Sequence, residues 1–292
     1  MSSEVRQAIL PLALRRIGRR QDFERAGLLM ESLSRHWCDP SPFQIHVVAP
    51  AGDVDTLRAS LPRFANIDVS VRSERDFFPL ASGFHLMPGW YRQQIVKLAV
   101  PAQLGFGAYL TLDSDVCCVG DFDAATFIAG GRLLSRWEPK EHHAWWRRAA
   151  DVVGMPHDDA SHGLSVTPNI LHGDLAAQTL AHFRDRPLGA LPSLASRIYL
   201  RFGATAWTEY SLYTCVGQLR GNLFDHHVHW ETYYGSSVRL FSEHTCIWSA
   251  EDFERLASRP AGGDPGGKFI IVQSRARVPL ERVRAYCLGF SG

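Results

Sequence analysis

The sequence predicts an α/β fold, built on a mostly parallel central sheet flanked by helices. The first observation is the order strand, helix, strand, helix, strand in residues 1–71, which predicts parallel strands joined by right-handed crossovers. The second is a further apolar run at 109–112, which follows another helical segment and ends in Asp113 and Asp115. The third is size, because 292 residues with 46% hydrophobic content suffice for one large core.

Hydrophobic periodicity gives the elements of the first half. Residues 21–36 place apolar side chains at helical spacing, and Pro40 and Pro42 stop that helix. Residues 67–71 alternate as a strand does, and a loop is expected over 77–89. In chain order, the predicted elements are a strand at 7–14, a helix at 21–36, a strand at 43–48, a helix at 54–64, a strand at 67–71, a helix at 90–100 and a strand at 109–112.

The second half is richer in aromatic residues and loops. Trp137, Trp145 and Trp146 indicate either a wall on which sugar rings stack or ordinary core packing. Thr208 is suited to cap a helix that has Glu209 in its first turn. The other elements predicted here are a strand at 167–171, a helix at 175–183, a flexible Gly-rich loop at 261–267 and a buried strand at 269–272.

Composition and charge exclude several classes of protein. The net charge of +1 and the pI of about 7.7 give no basic field of the kind that binds nucleic acid. No apolar run predicts a transmembrane segment and no signal peptide is visible, so we expect a cytoplasmic protein whose contact with a membrane would be peripheral. One basic cluster is either a solvated loop or a surface that faces phosphate or anionic lipid; it comprises Arg15, Arg16, Arg19, Arg20 and Arg25.

The cysteines indicate reduced thiols. The chain has 6 of them, and none forms the Cys-x-x-Cys pair that is typical of a zinc or redox site. Their spacing does not suggest a disulfide framework, which fits a cytosolic protein. Cys117 and Cys118 are adjacent, so in a strand their side chains would point to opposite faces.

The most informative motif is Asp113-Ser114-Asp115, directly after a buried apolar run. Side chains two residues apart point the same way in a strand, so the two carboxylates can converge on one cation. Carboxylate oxygens are ligands that Mg²⁺ and Mn²⁺ prefer, and such cations keep open positions for substrate phosphates. Ligands of open α/β sheets bind beyond the carboxyl ends of the strands, where this motif lies. The motif therefore predicts metal-assisted chemistry on a nucleotide-linked substrate.

Four segments together resemble the GT-A glycosyltransferase fold and, more narrowly, a bacterial family of glycosyltransferase-like proteins without an assigned substrate. They are Gly-Trp-Tyr-Arg-Gln-Gln-Ile-Val-Lys-Leu at 89–98, Tyr-Leu-Thr-Leu-Asp-Ser-Asp at 109–115, Thr-Glu-Tyr-Ser-Leu-Tyr at 208–213 and Val-Gln-Ser at 272–274. The resemblance implies one GT-A-type, Rossmann-like domain over 1–292. Residues 1 to about 123 would bind the nucleotide sugar, and residues from about 124 to 292 would form an acceptor-side subregion.

The resemblance also implies roles for three carboxylates. In GT-A enzymes the second aspartate of the pair usually binds the metal directly, which here is Asp115, with Mn²⁺ or Mg²⁺ as the cofactor. Asp113 would reach the metal through water or contact the ribose of the donor. Glu209 resembles the general base of inverting enzymes, and a helix N-terminus would tend to lower its pKa. In a retaining reaction, Glu209 would instead orient donor or acceptor.

Charge and position add further candidates. Arg92 and Lys97, on the helix before the motif, either neutralise the donor diphosphate or belong to a solvated helix face. Gln273 and Ser274, at the end of a late strand, are candidates for donor or metal contact. A third metal ligand is sought among three histidines, of which we select His229; the set is His226, His227 and His229.

These inferences predict an enzyme with a nucleotide-sugar donor and a glycan or lipid-linked acceptor. The resemblance implies bacterial surface polysaccharide synthesis in the cytoplasm, or peripheral to the inner membrane. Three alternatives stay open. Asp113 also suits the nucleophile of a haloacid-dehalogenase-type phosphatase, although that motif normally follows the first strand. A nucleotidyltransferase uses paired carboxylates on a related sheet, and a non-catalytic sugar-binding protein would keep the fold alone.

Overall fold

A computed structural model describes residues 4–14, 21–184, 207–258 and 267–289, and shows a mixed α/β fold. The strands are β1 (Gln7–Pro11), β2 (Phe43–Ala49), β3 (Ile67–Ser73), β4 (Ala108–Thr111), β5 (Val116–Cys118), β6 (Ile128–Ala129), β7 (Arg132–Leu133), β8 (Trp137–Pro139), β9 (His162–Leu164), β10 (Asn169–His172), β11 (Phe241–Ile247) and β12 (Phe269–Val272). The helices are α1 (Gln21–His36), α2 (Val54–Ser60), α3 (Glu74–Phe77), α4 (Gly89–Gln103), α5 (Trp145–Val153), α6 (Gly173–Arg184), α7 (Glu209–Arg220), α8 (Leu223–His226), α9 (Trp230–Gly235), α10 (Ala250–Ala257) and α11 (Leu280–Gly289).

The central sheet has five strands in the order β10-β4-β1-β2-β3. The pairs β1–β2, β2–β3 and β1–β4 are parallel, and β10 runs antiparallel to β4. The parallel sheet predicted from the alternation of strands and helices is therefore confirmed. After β3 the chain returns to the other side of β1, so the strand order reverses between β1 and β4. Such a reversal is where open α/β sheets bind ligands.

The predicted elements are confirmed with shifted ends. Residues 21–36 form α1 with the predicted bounds. The predicted helix over 54–64 stops at Ser60, because Leu61 is extended and precedes Pro62, which disfavours the helical conformation before it. The expected loop over 77–89 contains two short 3₁₀ turns, Leu80–Ser82 and Phe84–Leu86.

A second sheet fixes the turn that carries the two aspartates. Its order is β11-β12-β5, with β12 antiparallel to β5 and parallel to β11. Because β4 belongs to the central sheet and β5 to the second one, residues 112–115 join the two sheets. The backbone N–H of Val272 donates to the carbonyl of Asp115 at 3.0 Å. The residues that follow β12 are therefore held beside the aspartates.

The apolar residues form two cores that share β5. The main core contains residues from both halves of the chain, from Val5 to Ile271. A smaller core lies between the second sheet and the helices α1, α10 and α11. Cys118 belongs to the main core and Cys117 to the smaller one, so the prediction that their side chains face opposite ways is confirmed.

Part of the predicted basic cluster lies outside the described residues, as does the loop at 261–266. Arg25 is described and is buried, so neither interpretation of the cluster holds for it. Its Nη1 donates to the carbonyl of Val272 at 2.7 Å. Among the described helices, none has the length and apolar character needed to cross a bilayer.

Candidate functional site

A cleft of about 400 Å³ contains most of the predicted site residues. Most of its lining comes from α4, from the turn after β4, from the start of α7 and from the segment after β12, and Trp145 at the start of α5 and Trp248 line it as well. It therefore lies at the carboxyl end of β4, at the reversal of strand order. A larger cleft of about 550 Å³ lies beside α2 and β3, but its lining contains none of the predicted site residues.

Lys97 connects the two parts of the chain that supply carboxylates. Its Nζ lies 2.9 Å from Oδ1 of Asp113 and 3.0 Å from Oε1 of Glu209, and donates to Oγ1 of Thr167 at 2.7 Å. The Lys97 side chain is only 2% exposed. Burial opposes its charge, but Asp113 and Glu209 outweigh that effect and hold the pKa of Lys97 well above its usual range. A permanent cation therefore sits between the two acids.

Local sequence on two helices builds this arrangement. Gln94 and Lys97 are three residues apart on α4, so they share a helix face. The backbone N–H of Glu209 donates to Oε1 of Gln94 at 3.1 Å. Thr208 caps α7 by accepting from the backbone N–H of Ser211, as the sequence predicted for Thr208. The cap and the amide of Gln94 fix the first turn of α7 against α4.

The pKa of Glu209 departs from the prediction. A helix N-terminus was expected to lower the pKa, but burial of a side chain that is only 1% exposed raises it, and this outweighs the attraction of Lys97. Asp113 adds a like charge that raises the pKa further. The expectation of a lowered pKa is therefore wrong, and Glu209 is a stronger base than an ordinary glutamate.

A hydrogen-bonded chain links the floor of the cleft to α7. The hydroxyl of Tyr210 lies 2.6 Å from Oγ1 of Thr111, at the end of β4, and 2.6 Å from Oγ1 of Thr167. Thr167 also accepts from Lys97. The polar side chains beneath the cleft are thus tied to one another and to the central sheet, which keeps the carboxylates in a fixed geometry.

Asp115 has an unusually high pKa. Burial raises the pKa to about 7, the nearby charge of Asp113 raises it too, and Arg25 opposes both effects. Asp113 is 38% exposed and has Lys97 as a direct ion-pair partner. Asp115 is therefore the carboxylate of the pair whose ionised form would gain most from an additional cation.

The donor atoms at this site fit a hard divalent cation. Two carboxylates one residue apart line the cleft, and Gln273 and Ser274 line it as well. Within the described parts of the chain, no group of three or more His, Cys, Asp or Glu side chains could hold a metal ion. A Mg²⁺ or Mn²⁺ ion bound by Asp113 and Asp115 would therefore take its remaining ligands from water, from neutral oxygens and from substrate phosphates, as Mg²⁺ commonly does.

Two predicted site residues lie elsewhere. Arg92 donates from Nη1 to Oε2 of Glu74 at 2.7 Å and does not belong to the lining of the cleft. His229 is the N-cap of α9, where its ring accepts from the backbone N–H of Glu231. The structure therefore brings Asp113, Asp115, Lys97, Glu209, Gln273 and Ser274 together, and leaves Arg92 and His229 outside.

The lining also includes residues that the sequence did not identify as functional. Arg275 directly follows Gln273 and Ser274, which the sequence predicted as donor or metal contacts. This position in the sequence could have indicated that Arg275 belongs to the site. Trp90 and Trp248 are single aromatic residues with no local pattern around them. Of the three tryptophans considered as a sugar-stacking wall, Trp145 lines the cleft, whereas Trp137 and Trp146 are buried.

Two of the three histidines that were considered as metal ligands, His226 and His227, lie with His172 in a separate, at least partly buried cluster. The rings of His172 and His226 stack with their centroids 4.3 Å apart. His227 is buried, with Nδ1 2.8 Å from Oγ of Ser135 and Nε2 2.8 Å from the hydroxyl of Tyr213. Burial lowers the pKa of all three imidazoles, and neighbouring imidazoles lower that of His172 and His227 further. None of the three lines the cleft.

This cluster should make the fold sensitive to acid. An imidazole whose pKa is lowered on folding binds fewer protons than in the unfolded chain, so its stabilisation is complete above about pH 6.5 and is lost as the pH falls. We expect the free energy of unfolding, from urea titrations, to fall between about pH 7.5 and about pH 5, and to fall less steeply in His227→Gln. His142→Gln, at an exposed histidine, should keep the wild-type slope. An unchanged slope in His227→Gln would contradict this account.

The fold and site define a mixed α/β protein with a carboxylate-lined cleft at the reversal of its sheet. The chain belongs to the family of unknown function DUF6492, whose model matches residues 3–290. The crystal structure of mouse xyloside xylosyltransferase 1, apo form, is similar with a TM-score of 0.47 and 12% identity, over 94% of this chain and 99% of that chain. That likeness is too distant to assign an activity. No curated protein matches this sequence.

Proposed function

We propose that this protein is a metal-dependent glycosyltransferase of the GT-A type, which moves a sugar from a nucleotide-sugar donor to a glycan or lipid-linked acceptor. The observation that carries the proposal is the convergence of Asp113, Asp115 and Glu209 on one cleft, with Lys97 buried between Asp113 and Glu209. The resemblance of the sequence motifs to GT-A enzymes supports the same interpretation.

On the donor side, Asp115 and Asp113 would hold Mn²⁺ or Mg²⁺, with Gln273 and Ser274 as neighbouring oxygen donors. The cation, when bound, would act as a Lewis acid that stabilises the negative charge on the departing diphosphate. Asp115 supports this assignment because burial and the neighbouring charge of Asp113 raise its pKa, so a bound cation would stabilise its ionised form.

Two cationic residues have different proposed roles, one in positioning the carboxylates and one in neutralising the donor diphosphate. Lys97 is buried and already faces two carboxylates, so its role is to hold Asp113 and Glu209 in place. Arg275 is exposed at the cleft, with its guanidinium 4.2 Å from the ring centroid of Trp248. We assign to Arg275 the contact with the donor diphosphate, because an accessible guanidinium matches phosphate oxygens.

On the acceptor side, Glu209 would accept the proton of the attacking hydroxyl. Glu209 belongs to the lining of the cleft, and its raised pKa strengthens it as a base. Lys97 favours the ionised carboxylate, since its charge opposes the rise in pKa that burial causes. The same ion pair fixes the orientation of the carboxylate toward the reacting hydroxyl.

The proposed biological setting follows from the resemblance to bacterial proteins. The acceptor would be a growing surface glycan or its lipid-linked precursor, and transfer would take place in the cytoplasm or peripheral to the inner membrane. Phosphatase or nucleotidyltransferase chemistry would use the same aspartates on a different substrate. Binding and release assays separate these alternatives.

The proposal is tested by thermal unfolding of the protein with nucleoside diphosphates and sugar nucleotides, in Mn²⁺ and in EDTA. A ligand that binds only the folded state raises its stability by mass action. We expect one nucleotide base, with Mn²⁺, to raise Tm by about 4–5 °C at a concentration of 100 Kd, because that excess adds about 2.7 kcal/mol and a chain of this length unfolds with an entropy of about 0.6 kcal/mol/K. EDTA should remove the shift.

Free monosaccharides with Mn²⁺ serve as the control and should give no shift of this size. A folded protein that no nucleotide stabilises would contradict the proposal. Release of inorganic phosphate from phosphate monoesters, without any transfer of sugar, would favour the phosphatase alternative.

A further inference from the structure

The tryptophans of this chain are distributed unevenly around the cleft. Of the 8 tryptophans, four are no more than 5% exposed and pack in the protein; they are Trp37, Trp137, Trp146 and Trp207. Three of the other four line the cleft, namely Trp90, Trp145 and Trp248. Trp90 and Trp248 are each 44% exposed. Large aromatic rings are seldom left exposed around one cleft unless a ligand covers them.

The ring of Trp145 is held in a fixed position. Its Nε1–H donates to Oε1 of Glu138 at 3.1 Å. The imidazole of His143 stacks on it with ring centroids 3.8 Å apart and an angle of 21° between the planes. His143 covers one face of the indole and does not line the cleft, whereas Trp145 does line it. A ring fixed in this way loses little conformational freedom when a ligand stacks on it.

The rest of the lining shows which ligand fits. Apart from aromatic rings, it consists mainly of carboxylates, amides and hydroxyls, and the aliphatic residues that line it are Val166 and Ile271. A lipid chain needs a continuous aliphatic surface, which this lining does not provide. A sugar has apolar C–H faces that stack on aromatic rings, and hydroxyls that hydrogen-bond to groups such as Gln93 and Gln94.

We infer that the acceptor is a carbohydrate and that one of its sugar rings stacks on Trp145. The inference rests on the proposed function and deepens it, because it chooses between the glycan part and the lipid part of the acceptor. Trp145 begins α5 and lines the cleft. Glu209, the proposed base, lines the same cleft. A hydroxyl of a sugar stacked on Trp145 would therefore lie in the cleft that contains the base.

The experiment measures binding without requiring turnover. An array of immobilised oligosaccharides, built from hexoses, pentoses, amino sugars and uronic acids, is screened with the full chain in Mn²⁺, with and without the four nucleoside diphosphates. The oligosaccharide that binds best is then titrated in solution by calorimetry. Trp145→Ala should bind it about tenfold more weakly or worse, and Trp145→Phe should recover part of the loss, because part of the stacking area is retained.

A matched control uses Trp230→Ala. Trp230 stacks on His162 and lies outside the cleft, so its loss should leave oligosaccharide binding unchanged. Nucleoside diphosphate binding by Trp145→Ala should equal that of the wild type, which also shows that the variant is folded. Equal binding of oligosaccharide by Trp145→Ala and wild type would overturn the inference, as would loss of nucleotide binding in Trp145→Ala.

Failure of this inference differs from failure of the proposed function. A protein that binds a nucleoside diphosphate with Mn²⁺ but no oligosaccharide would overturn the carbohydrate site and leave the transferase proposal in place. Binding to phospholipid vesicles that Trp145→Ala removes would also overturn it in favour of a lipid contact. Oligosaccharide binding that depends on Trp145, in a protein that binds no nucleotide, would support the carbohydrate site and contradict the transferase.

Discussion

Replacing Asp115 with asparagine should abolish sugar transfer while the protein stays folded. Asparagine keeps the shape of the side chain but loses the charge, so the proposed site would hold a divalent cation poorly. Loss of Lewis-acid stabilisation of the departing diphosphate costs several kcal/mol, which lowers turnover by about 10³-fold or more. The same variant should lose the Mn²⁺-dependent rise in Tm with nucleotide. Radioactive transfer assays and thermal unfolding measure the two effects.

Folding should tolerate this change, because the pKa of Asp115 is raised to about 7. The folded protein therefore already accommodates the neutral form that asparagine imitates. Asp55→Asn is a suitable control, since the Asp55 side chain is fully exposed on α2 and does not line the cleft, and this variant should keep wild-type turnover. Wild-type turnover in Asp115→Asn would refute the metal assignment.

Local sequence pattern was sufficient for the parallel half of the fold. The bounds of α1 follow from apolar side chains at helical spacing, and the order of strands follows from alternation with helices. The second sheet could not be predicted in this way. It pairs β5 with β12, which are separated by about half of the chain, and packing rather than local periodicity decides such a contact. Strands of two or three residues, such as β6 and β7, are too short to show alternation.

The sequence predicted those site residues whose positions follow from the geometry of a strand or a helix. Asp113 and Asp115 lie at the end of a strand, and a strand end at a reversal of the sheet faces a cleft. Arg92 and Lys97 are five residues apart on α4, which separates them by about 140° around the helix, so they cannot both face one site. The sequence does not say which of them does. The tertiary contact of Arg92 with Glu74 decides it.

The ion pairs of Lys97 lead to the largest expected effect on stability. Lys97→Met removes a buried cation and leaves Glu209, which is only 1% exposed, without a partner for its charge. Breaking a buried pair in this way typically costs about 3–5 kcal/mol. We expect urea unfolding at neutral pH to show a loss of this size. The loss should shrink as the pH falls, because an unpaired buried glutamate becomes neutral by taking up a proton.

A double variant separates the role of the pair from the loss of the lysine itself. If the cost arises from the uncompensated Glu209 carboxylate, the double variant Lys97→Met with Glu209→Gln should recover much of the lost free energy of unfolding. The interaction energy between the two substitutions, from the double-mutant cycle, should be at least about 1 kcal/mol. Lys268→Met, at a partly exposed lysine outside the cleft, should change stability by less than about 0.5 kcal/mol. A failure of Glu209→Gln to restore stability would show that Lys97 does not act through this pair.

Glu209→Gln alone then distinguishes a base from a structural partner. It keeps the size of the side chain and its place at the start of α7, but it cannot take a proton from the acceptor. If Glu209 is the base, the variant should fold and bind nucleotide while turnover falls by about 10²–10⁴-fold. Near wild-type turnover would exclude Glu209 as the base and would show that it only positions Lys97. Burial raises the pKa of Glu209. If Glu209 is the base, the turnover of the wild type should therefore begin to fall at a higher pH than it would with an exposed glutamate as the base.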